Sequence, residues 1–368
     1  KPPAPTGASV NTRTARTSAF THRSNLPSPS PEIGPTLRRM EWEPKPNWWK
    51  NYPWRLIQTN LREIDMKDIR AERVVSDLKD FGATLLMINA AGILASYPTD
   101  LEDHFQSPYL TGDSLESILE ACHRAGIRVI ARTDFSKIRE PVFERHPDWA
   151  YRTAGGEIVN YNGDVHACIC GGHQQENLFR ILEELFHKLA FDGVFFNMGG
   201  FQVRDYSGNY YGPCHCRSCR SRFSEEYGLD LPVKEDREDP VFRKYLLFTE
   251  TVVQTHKEKV YDFLTERWPH LCIASTFSRR EGFVRQESNT KLDRPLPRWP
   301  YDASENTRWA RCNFPEMVSS NTTVDFIDIP VRHVAVSPAL QRQRLIQNLA
   351  HGGGLDYYLI GRLDNHED

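Results

Sequence analysis

The chain has 368 residues, of which 39% are apolar and 11% aromatic, and this length is enough for a large buried core. Its 46 Lys and Arg residues against 49 Asp and Glu give a net charge of −3, so the sequence offers no broad basic surface for a nucleic-acid backbone. No apolar run approaches the roughly 18 to 20 residues of a membrane span. We therefore expect a globular, soluble protein without a nucleic-acid or membrane partner.

Residues 1–40 are rich in Ser, Thr and Pro, and four basic residues precede the first acid, Glu32. This composition predicts a disordered segment. It also fits a transit or export segment, although an initiator Met and an apolar h-region are absent, so a plain linker is the alternative. The compartment stays open, with a cytoplasmic location favoured. Residues 41–368 are expected to form the folded domain.

From Trp48 onward, short apolar runs alternate with longer amphipathic stretches, a pattern typical of βα units around a parallel sheet. Helices are predicted over 114–126, 175–191 and 338–353. Eight strands are predicted over 55–60, 83–89, 127–134, 192–198, 271–277, 282–288, 329–336 and 355–361.

Eight strands over about 300 residues predict a (β/α)8 TIM barrel rather than an open doubly wound sheet. The absence of GxGxxG and Walker motifs agrees with this. The connection between the fifth and sixth strands is short for a helical crossover. Because the chain stops at Asp368, soon after strand eight, the final helix is expected to be missing, and a fragment of a longer protein is one interpretation.

Catalysis in such barrels takes place at the carboxyl ends of the strands, and polar or aromatic side chains follow most of the predicted strands. Sugars stack their CH faces on aromatic rings while their hydroxyl groups need planar polar partners, so this mixture favours a carbohydrate ligand. Taken singly, each aromatic residue is better explained by packing. The candidate substrate-binding residues are Asn60, Asn89, Tyr97, Arg132, Asn197, Arg285, Trp299 and His333.

Glycoside hydrolysis needs two carboxyl groups, and Asp134, Asp205, Glu287 and Asp364 all lie where a barrel presents them. Glu287, just past an apolar strand, is the best candidate for the general acid. Its structural alternative is a salt bridge to Arg285 or Arg294. Asp134 could equally be an ion-pair partner of Lys137.

Three thiols lie within six residues in "CHCRSC": Cys214, Cys216 and Cys219. Together with a fourth ligand they could bind one tetrahedral Zn²⁺, and Cys168 or Cys170 is the natural fourth, with His215 and His173 behind. Such a closed site would be structural and would hold the loop after strand four. Free thiols or one local disulfide are the alternative. Catalytic metal motifs such as HxH and HExxH are absent, as is GxSxG, so no catalytic cofactor is expected.

Several motifs together resemble the hypothetical glycosyl hydrolase 6 barrel domain, akin to family 151 alpha-L-fucosidases and family 42 beta-galactosidases. They are "WRLIQTNLREID", "INAAGILASYPT", "RVIARTDFSK", "DGVFFNMGGFQVRDYSGNYYGPCHCRSCRSRF", "RQESNTKLDRPLPRWPYDASEN" and "GLDYYLIG". The resemblance runs from about Trp48 to the end of the chain.

The resemblance implies a retaining exo-glycosidase acting on alpha-L-fucosides or galactosides, with a structural zinc at the cysteine loop. A trimerisation domain often follows such barrels, which implies a homo-oligomer. In related family 29 fucosidases a nucleophilic aspartate ends strand four, and here Asn197 occupies that position. Either the nucleophile has moved, to Asp205 first or Asp134 next, or the barrel binds carbohydrate without catalysis.

Overall fold

The computed structural model describes residues 45–274, 280, 282–293, 295–328 and 331–365, so the predicted disordered segment 1–40 lies outside the described residues. Eight parallel strands form the main sheet. They are β1 (Arg55–Asn60), β2 (Leu85–Gly92), β3 (Arg128–Asp134), β4 (Gly193–Asn197), β5 (Cys272–Ala274), β6 (Phe283–Ser288), β7 (Val318–Val324) and β8 (Leu355–Ile360).

The strands follow the order β5-β4-β3-β2-β1-β8-β7-β6. The two strands at the ends of this order, β5 and β6, lie close to each other. The Gly282 N–H, just before β6, donates to the carbonyl of Ile273 in β5 at 2.8 Å. This sheet and its flanking helices confirm the predicted (β/α)8 barrel. The helices are α1 (Ala71–Asp80), α2 (Ser114–Arg124), α3 (Glu140–Arg145), α4 (Leu178–Lys188), α5 (Arg217–Tyr227), α6 (Pro240–Arg267), α7 (Asp302–Asn313) and α8 (Pro338–Ala350).

Two small sheets lie outside the barrel. Lys137–Arg139, Asn160–Tyr161 and Asp164–His166 form a three-stranded antiparallel sheet directly after β3. Phe326–Asp328 and Val331–Ala335 form an antiparallel hairpin directly after β7. Both therefore sit beyond the carboxyl ends of barrel strands. Short helical turns complete the fold at Trp48–Asn51, Glu63–Met66, Pro147–Trp149, Leu296–Arg298, Leu363–Asn365 and, as a π-helix, His173–Asn177.

Strand residues alternate between the barrel interior and the helical layer, as the two-residue period of a strand requires. In β3, Ile130 packs inside against Leu56 and Phe195. Its neighbours Val129 and Ala131 join the outer core with the helices. Helix α4 contributes to that outer core with residues spaced at i, i+3, i+4 and i+7, namely Leu178, Ile181, Leu182 and Leu185.

The prediction of a seventh strand at 329–336 was wrong. The barrel strand is "VSSNTTV" at Val318–Val324, and Val331–Ala335 belongs to the partly exposed hairpin. The prediction was wrong because residues 329–336 alternate between apolar and polar side chains, a pattern that is also typical of a barrel strand. In β7 small polar side chains are buried on both faces. Ser320 Oγ donates to Asp356 and Asn321 Nδ2 donates to Ser288, whereas the Ser319 and Thr323 hydroxyl groups have no hydrogen-bond partner among the described residues.

The amino-terminal end of the barrel is closed by tryptophans. Trp54 directly precedes β1 and donates through Nε1 to Ser320 Oγ at 2.7 Å. The Trp48 ring stacks on it at a centroid distance of 6.2 Å. These rings therefore lie at the end opposite the carboxyl ends of the strands, and they pack the barrel floor. No helix of the described residues is both long and apolar enough to cross a membrane.

Candidate functional site

Asp134 is the buried carboxylate at the carboxyl end of β3. Its Oδ1 accepts hydrogen bonds from the Ser136 N–H at 3.0 Å and the Ser136 hydroxyl at 2.6 Å. Its Oδ2 accepts from Asn197 Nδ2 at 2.9 Å. Asp134 and Asn197 are direct partners in the parallel register of β3 and β4. The amide at the end of β4 thus orients the carboxylate at the end of β3.

Glycine is required at position 92 because β2 passes very close to this carboxylate-bearing strand. Gly92 has φ of +119°, and a Cβ there would lie 2.1 Å from the Asp134 carbonyl oxygen. The Gly92 N–H donates to Nε2 of the buried His104 at 3.3 Å. Gly92 pairs with Asp134 in the sheet, so its hydrogen bond to the neutral His104 ring helps to hold the backbone next to Asp134 in place.

Beneath Asp134, the barrel interior contains a buried ion pair. Arg285 Nε lies 3.3 Å from Asp356 Oδ2, and Ser320 Oγ donates to the same oxygen at 2.8 Å. The Arg285 guanidinium also lies over the Phe195 ring at 4.9 Å. Burial raises the pKa of Asp356, and Arg285 opposes that rise. Asp356 is fully enclosed in strand "LDYYLI", so it supports the site from below rather than facing a ligand.

Glu287 lies on β6 and is exposed, with 44% of its side chain accessible. Its Oε1 is 3.6 Å from Arg285 Nη1, and Asn289 Nδ2 donates to Oε2 at 3.4 Å. Nearby Tyr358 accepts from Asn60 Nδ2 at 2.9 Å. Burial raises the pKa of Tyr358, Arg132 lowers it, and Glu287 raises it. Glu287 and Arg132 therefore both lie near enough to Tyr358 to act on it electrostatically.

Tyr206, on the loop after β4, lies over the same region. Its ring is 5.1 Å from Lys137 Nζ and 5.2 Å from the Arg332 guanidinium. Burial raises the pKa of Tyr206, the Asp134 charge adds to this, and Arg132 opposes it. We call the space around these groups the mouth. It includes the charged groups that lie against Tyr206 or act electrostatically on Tyr206 and Tyr358, namely Asp134, Glu287, Arg132, Lys137 and Arg332, together with Asn197, which is hydrogen-bonded to Asp134.

Asp205 organises its own loop. Its Oδ1 accepts from the N–H groups of Ser207 and Asn209, at 2.8 and 3.0 Å, and its Oδ2 accepts from Asn209 Nδ2 at 2.8 Å and the Tyr211 hydroxyl at 2.6 Å. Desolvation would raise the pKa of Asp205, but these hydrogen bonds, led by that from Tyr211, lower it to about 2. Its four acceptor positions are thus occupied by neighbours in sequence.

A polar pocket of about 180 Å³ opens beside Asp134 at the ends of β1 to β3. Arg139 pairs there with Glu63 at 2.8 Å and with Asp164 at 3.3 Å. Burial raises the pKa of Asp164, Arg139 opposes it, and the Asp134 charge adds to it. Asp164 was missed in the sequence because it lies in the small sheet after β3. Asn89 and Arg132 also line this pocket.

Three other predicted site residues, Tyr97, Trp299 and His333, have partners or surroundings of their own. Tyr97 is buried and donates to Glu184 of α4 at 2.8 Å. The Trp299 carbonyl accepts from Arg344 of α8. His333 lies on the hairpin after β7 and lines a cleft of about 510 Å³ with Arg332 and Asp325. The structure gives no contact of these three side chains with Asp134 among the described residues.

The four cysteines Cys168, Cys214, Cys216 and Cys219 form one buried cluster whose sulphur atoms lie within 4.8 Å of one another. The Cys219 N–H donates to Cys216 Sγ and the Cys170 N–H donates to Cys168 Sγ, both at 3.4 Å. None of the eight cysteines forms a disulfide in the structure. Zn–S bonds of about 2.3 Å in a tetrahedron give S···S separations of roughly 3.8 Å, and the cluster fits this size.

Buried His104 should make the fold sensitive to acid. Burial lowers the pKa of His104 to about 4. Between pH 6.5 and 4 the unfolded chain binds this proton and the folded chain does not, so the free energy of unfolding falls as pH falls. Between pH 6.5 and 4.5 we expect a loss of about 2 to 3 kcal/mol from this residue. Urea unfolding across this range should show a shallower dependence in His104→Gln, whose amide oxygen can still accept from Gly92.

His187→Gln, which changes an exposed histidine of α4, is the matched control and should keep the wild-type dependence. An unchanged pH dependence in His104→Gln would contradict the assignment of this loss to His104.

The barrel, with polar and charged side chains gathered at the carboxyl ends of its strands, is a (β/α)8 fold of the kind that glycoside hydrolases share. The family described as "Hypothetical glycosyl hydrolase 6" matches residues 70–198, which confirms the resemblance seen in the sequence over that stretch. No curated protein matches the chain significantly.

Solved structures share the fold at low sequence identity. Alpha-L-fucosidase isoenzyme 2 from Paenibacillus thiaminolyticus superimposes with a TM-score of 0.63 at 16% identity, over 86% of this chain and 47% of that one. Gan42B, a GH42 beta-galactosidase, gives 0.63 at 13% identity, over 85% and 52%. The PgaB (BpsB) glycoside hydrolase domain from Bordetella bronchiseptica gives 0.61 at 13% identity, over 86% and 97%. The chain thus spans about half the length of the first two proteins.

Proposed function

We propose that this protein is a retaining exo-glycosidase acting on alpha-L-fucosides or galactosides. The observation that carries the proposal is the buried Asp134 carboxylate, held at the end of β3 by three neutral donors and facing a polar mouth. The family match and the fucosidase and galactosidase folds support the class of reaction and the choice of sugars.

In this proposal Asp134 is the nucleophile. Its Oδ1 accepts two hydrogen bonds and its Oδ2 accepts one, so Oδ2 keeps a lone pair for the anomeric carbon. The donors from Ser136 and Asn197 fix the carboxylate in one orientation and stabilise its charged form. Asn197 therefore has a positioning role, which accounts for an amide at the end of β4 in an active barrel.

Glu287 is proposed as the general acid. It lies on β6, on the opposite side of the strand order from β3, and its exposure leaves it accessible to a leaving group. It would protonate the glycosidic oxygen while Asp134 attacks, and then accept a proton from water as the glycosyl ester is hydrolysed. Asn60 and Tyr358 would bind sugar hydroxyl groups, and Arg132 would bind another polar substituent of the sugar.

Asp205 is given a structural role in this proposal. Attack by Asp205 would require it to release hydrogen bonds from Tyr211 and Asn209 that hold the β4 loop. The loop presents Tyr206 over the mouth, so Asp205 would act on the substrate through the position of that ring.

We also propose that Cys168, Cys214, Cys216 and Cys219 bind one structural zinc ion. A zinc ion held by four thiolates has no open position for substrate, so it would supply rigidity rather than chemistry. Cys168 precedes α4, whereas the other three lie in the β4 loop and the first turn of α5. The ion would therefore connect the loop carrying Tyr206 to the segment before α4.

A carbohydrate-binding barrel without turnover is the second candidate, and Asn197 is the observation that favours it. An amide cannot form a glycosyl ester, so if the nucleophile were required at the end of β4 the protein would bind sugar without cleaving it.

The test is nitrophenol release from aryl alpha-L-fucosides and beta-D-galactosides by wild type and Glu287→Gln. We expect wild-type turnover and a loss of about 10²- to 10⁴-fold in Glu287→Gln for substrates with poor leaving groups. The loss should shrink for dinitrophenyl glycosides, which need little protonation.

Glu305→Gln, which changes an exposed glutamate of α7, is the control for that substitution. Sugar binding without turnover of any glycoside would favour the second candidate. An equal loss for poor and activated leaving groups would contradict the role of Glu287 as the acid.

A further inference from the structure

Two cations at the mouth lack a carboxylate partner. Lys137 is only 4% exposed, and its Nζ has a long hydrogen bond of 3.5 Å to Ser136 Oγ. Arg132 is half-buried, and its Nε is enclosed without a hydrogen-bond partner. Among the described residues, no ion pair within 4.0 Å forms at either side chain. Both therefore have hydrogen-bond donors available to a ligand.

The nearby carboxylates are already engaged. Asp134 is hydrogen-bonded by the neutral donors of Ser136 and Asn197. Glu63 and Asp164 pair with Arg139, at 2.8 and 3.3 Å. The carboxylates near Lys137 and Arg132 thus either form ion pairs with Arg139 or accept hydrogen bonds from uncharged donors. A buried cation without a carboxylate in direct contact is unfavourable, so an anion in the mouth would be attracted.

Tyr206 adds a stacking surface between positive charges. Its ring is 38% exposed and lies about equally far from Lys137 Nζ, at 5.1 Å, and the Arg332 guanidinium, at 5.2 Å. A sugar ring stacked on Tyr206 would place its substituents beside these cations. Other groups that act electrostatically with Lys137 are His166 and Asp164.

We propose that the glycan bound in the mouth carries a carboxylate or sulfate substituent, which Lys137 and Arg132 bind. This inference rests on the proposed glycosidase function and narrows its substrate to an anionic glycan, such as a uronide or a sulfated galactoside. It assigns Lys137 a role in specificity, whereas Asp134 and Glu287 perform the chemistry. A D-galacturonide keeps the ring stereochemistry of galactose and adds the charge at C6.

The test compares kcat/KM for three matched aryl glycosides: the galactoside, the galacturonide and the 6-sulfated galactoside. We expect wild type to favour at least one charged substrate over the neutral one by about 10- to 100-fold, the range for hydrogen bonds to charged groups. Lys137→Met should reduce this preference by about 10-fold or more, mainly through KM, and Lys137→Arg should restore part of it.

Lys244→Met is the matched control, because Lys244 also lies near a tyrosine ring, 5.8 Å from Tyr227, but is exposed on α6. It should keep the preference. Circular dichroism establishes that each variant is folded. A wild-type preference for the neutral galactoside would overturn the inference. So would an equal loss on charged and neutral substrates in Lys137→Met, since that pattern indicates an effect on Asp134 rather than on the ligand.

Binding separates failure of this inference from failure of the proposed function. If no glycoside is hydrolysed, calorimetric titration with galactose, galacturonate, galactose 6-sulfate and inorganic sulfate still tests the anion site. Tighter binding of an anionic sugar that depends on Lys137 supports the inference. Equal binding of galactose and both anionic sugars overturns it, as does inorganic sulfate binding as tightly as galactose 6-sulfate.

Discussion

Replacing Asp134 by asparagine should lower kcat/KM for aryl glycosides by about four orders of magnitude while leaving the barrel folded. The asparagine is nearly isosteric with the carboxylate, and its amide oxygen can still accept from Ser136 or Asn197. It cannot form the glycosyl ester, however, so the first chemical step is lost. Initial rates on dinitrophenyl glycosides measure the loss, and thermal unfolding checks the fold.

Asp205→Asn is the comparison that separates the two candidate nucleophiles. It removes a carboxylate that holds the loop through Tyr211 and Asn209, so we expect a smaller loss than in Asp134→Asn, accompanied by weaker substrate binding. Sodium azide, a small external nucleophile, should partly restore turnover in Asp134→Asn alone. A larger, azide-rescued loss in Asp205→Asn would move the nucleophile to the loop and contradict the assignment to Asp134.

The second large effect is expected at the cysteine cluster. Purified wild type should contain about one zinc per chain, and Cys219→Ser should contain little. Structural zinc contributes on the order of 10 kcal/mol in small zinc-binding domains, so its loss should unfold the β4 loop and α5 locally and lower the melting temperature. Metal analysis by mass spectrometry, with thermal unfolding before and after chelation, measures both effects.

Cys122→Ser is the control for the replacement of a buried thiol group by a hydroxyl group. Cys122 is fully buried in α2 and lies outside the cluster, so this variant should keep its zinc although it loses some stability. Cys312→Ser, at an exposed thiol of α7, should change neither quantity. The zinc proposal fails if the wild type contains no metal when purified without chelators and does not take up zinc on titration.

The barrel could be predicted from the sequence wherever strands are apolar and helices amphipathic. Strands β1 to β4 contain apolar runs such as "GVFF", and the predicted helices match α2, α4 and α8 within a few residues. Strand β7 could not be found in this way, because most of its residues are small hydroxyl or amide residues that are buried without being apolar. Local hydrophobicity does not reveal partners that are distant in sequence.

The candidate site was predicted less completely. Asp134 and Asn197 could be placed at neighbouring strand ends, but their hydrogen bond depends on the register of β3 and β4. Asp164 and Asp356 were missed because one lies in an accessory sheet and the other inside an apolar-looking strand. The hydrogen bonds between Asp205 and its own loop depend on the conformation of the turn, which the sequence pattern alone does not specify. The oligomeric state stays a prediction from the resemblance.

Trapping the covalent intermediate is the most direct test of the central claim, that Asp134 attacks the sugar. A 2-deoxy-2-fluoro glycoside with a good leaving group should accumulate as a glycosyl ester, because the fluorine slows the hydrolysis of the ester. Peptide mapping by mass spectrometry then identifies the labelled carboxyl group. We predict one sugar per chain, attached to Asp134 and absent in Asp134→Asn. A label on Asp205 or another carboxylate, or turnover of the probe without any trapped ester, would contradict the proposed mechanism.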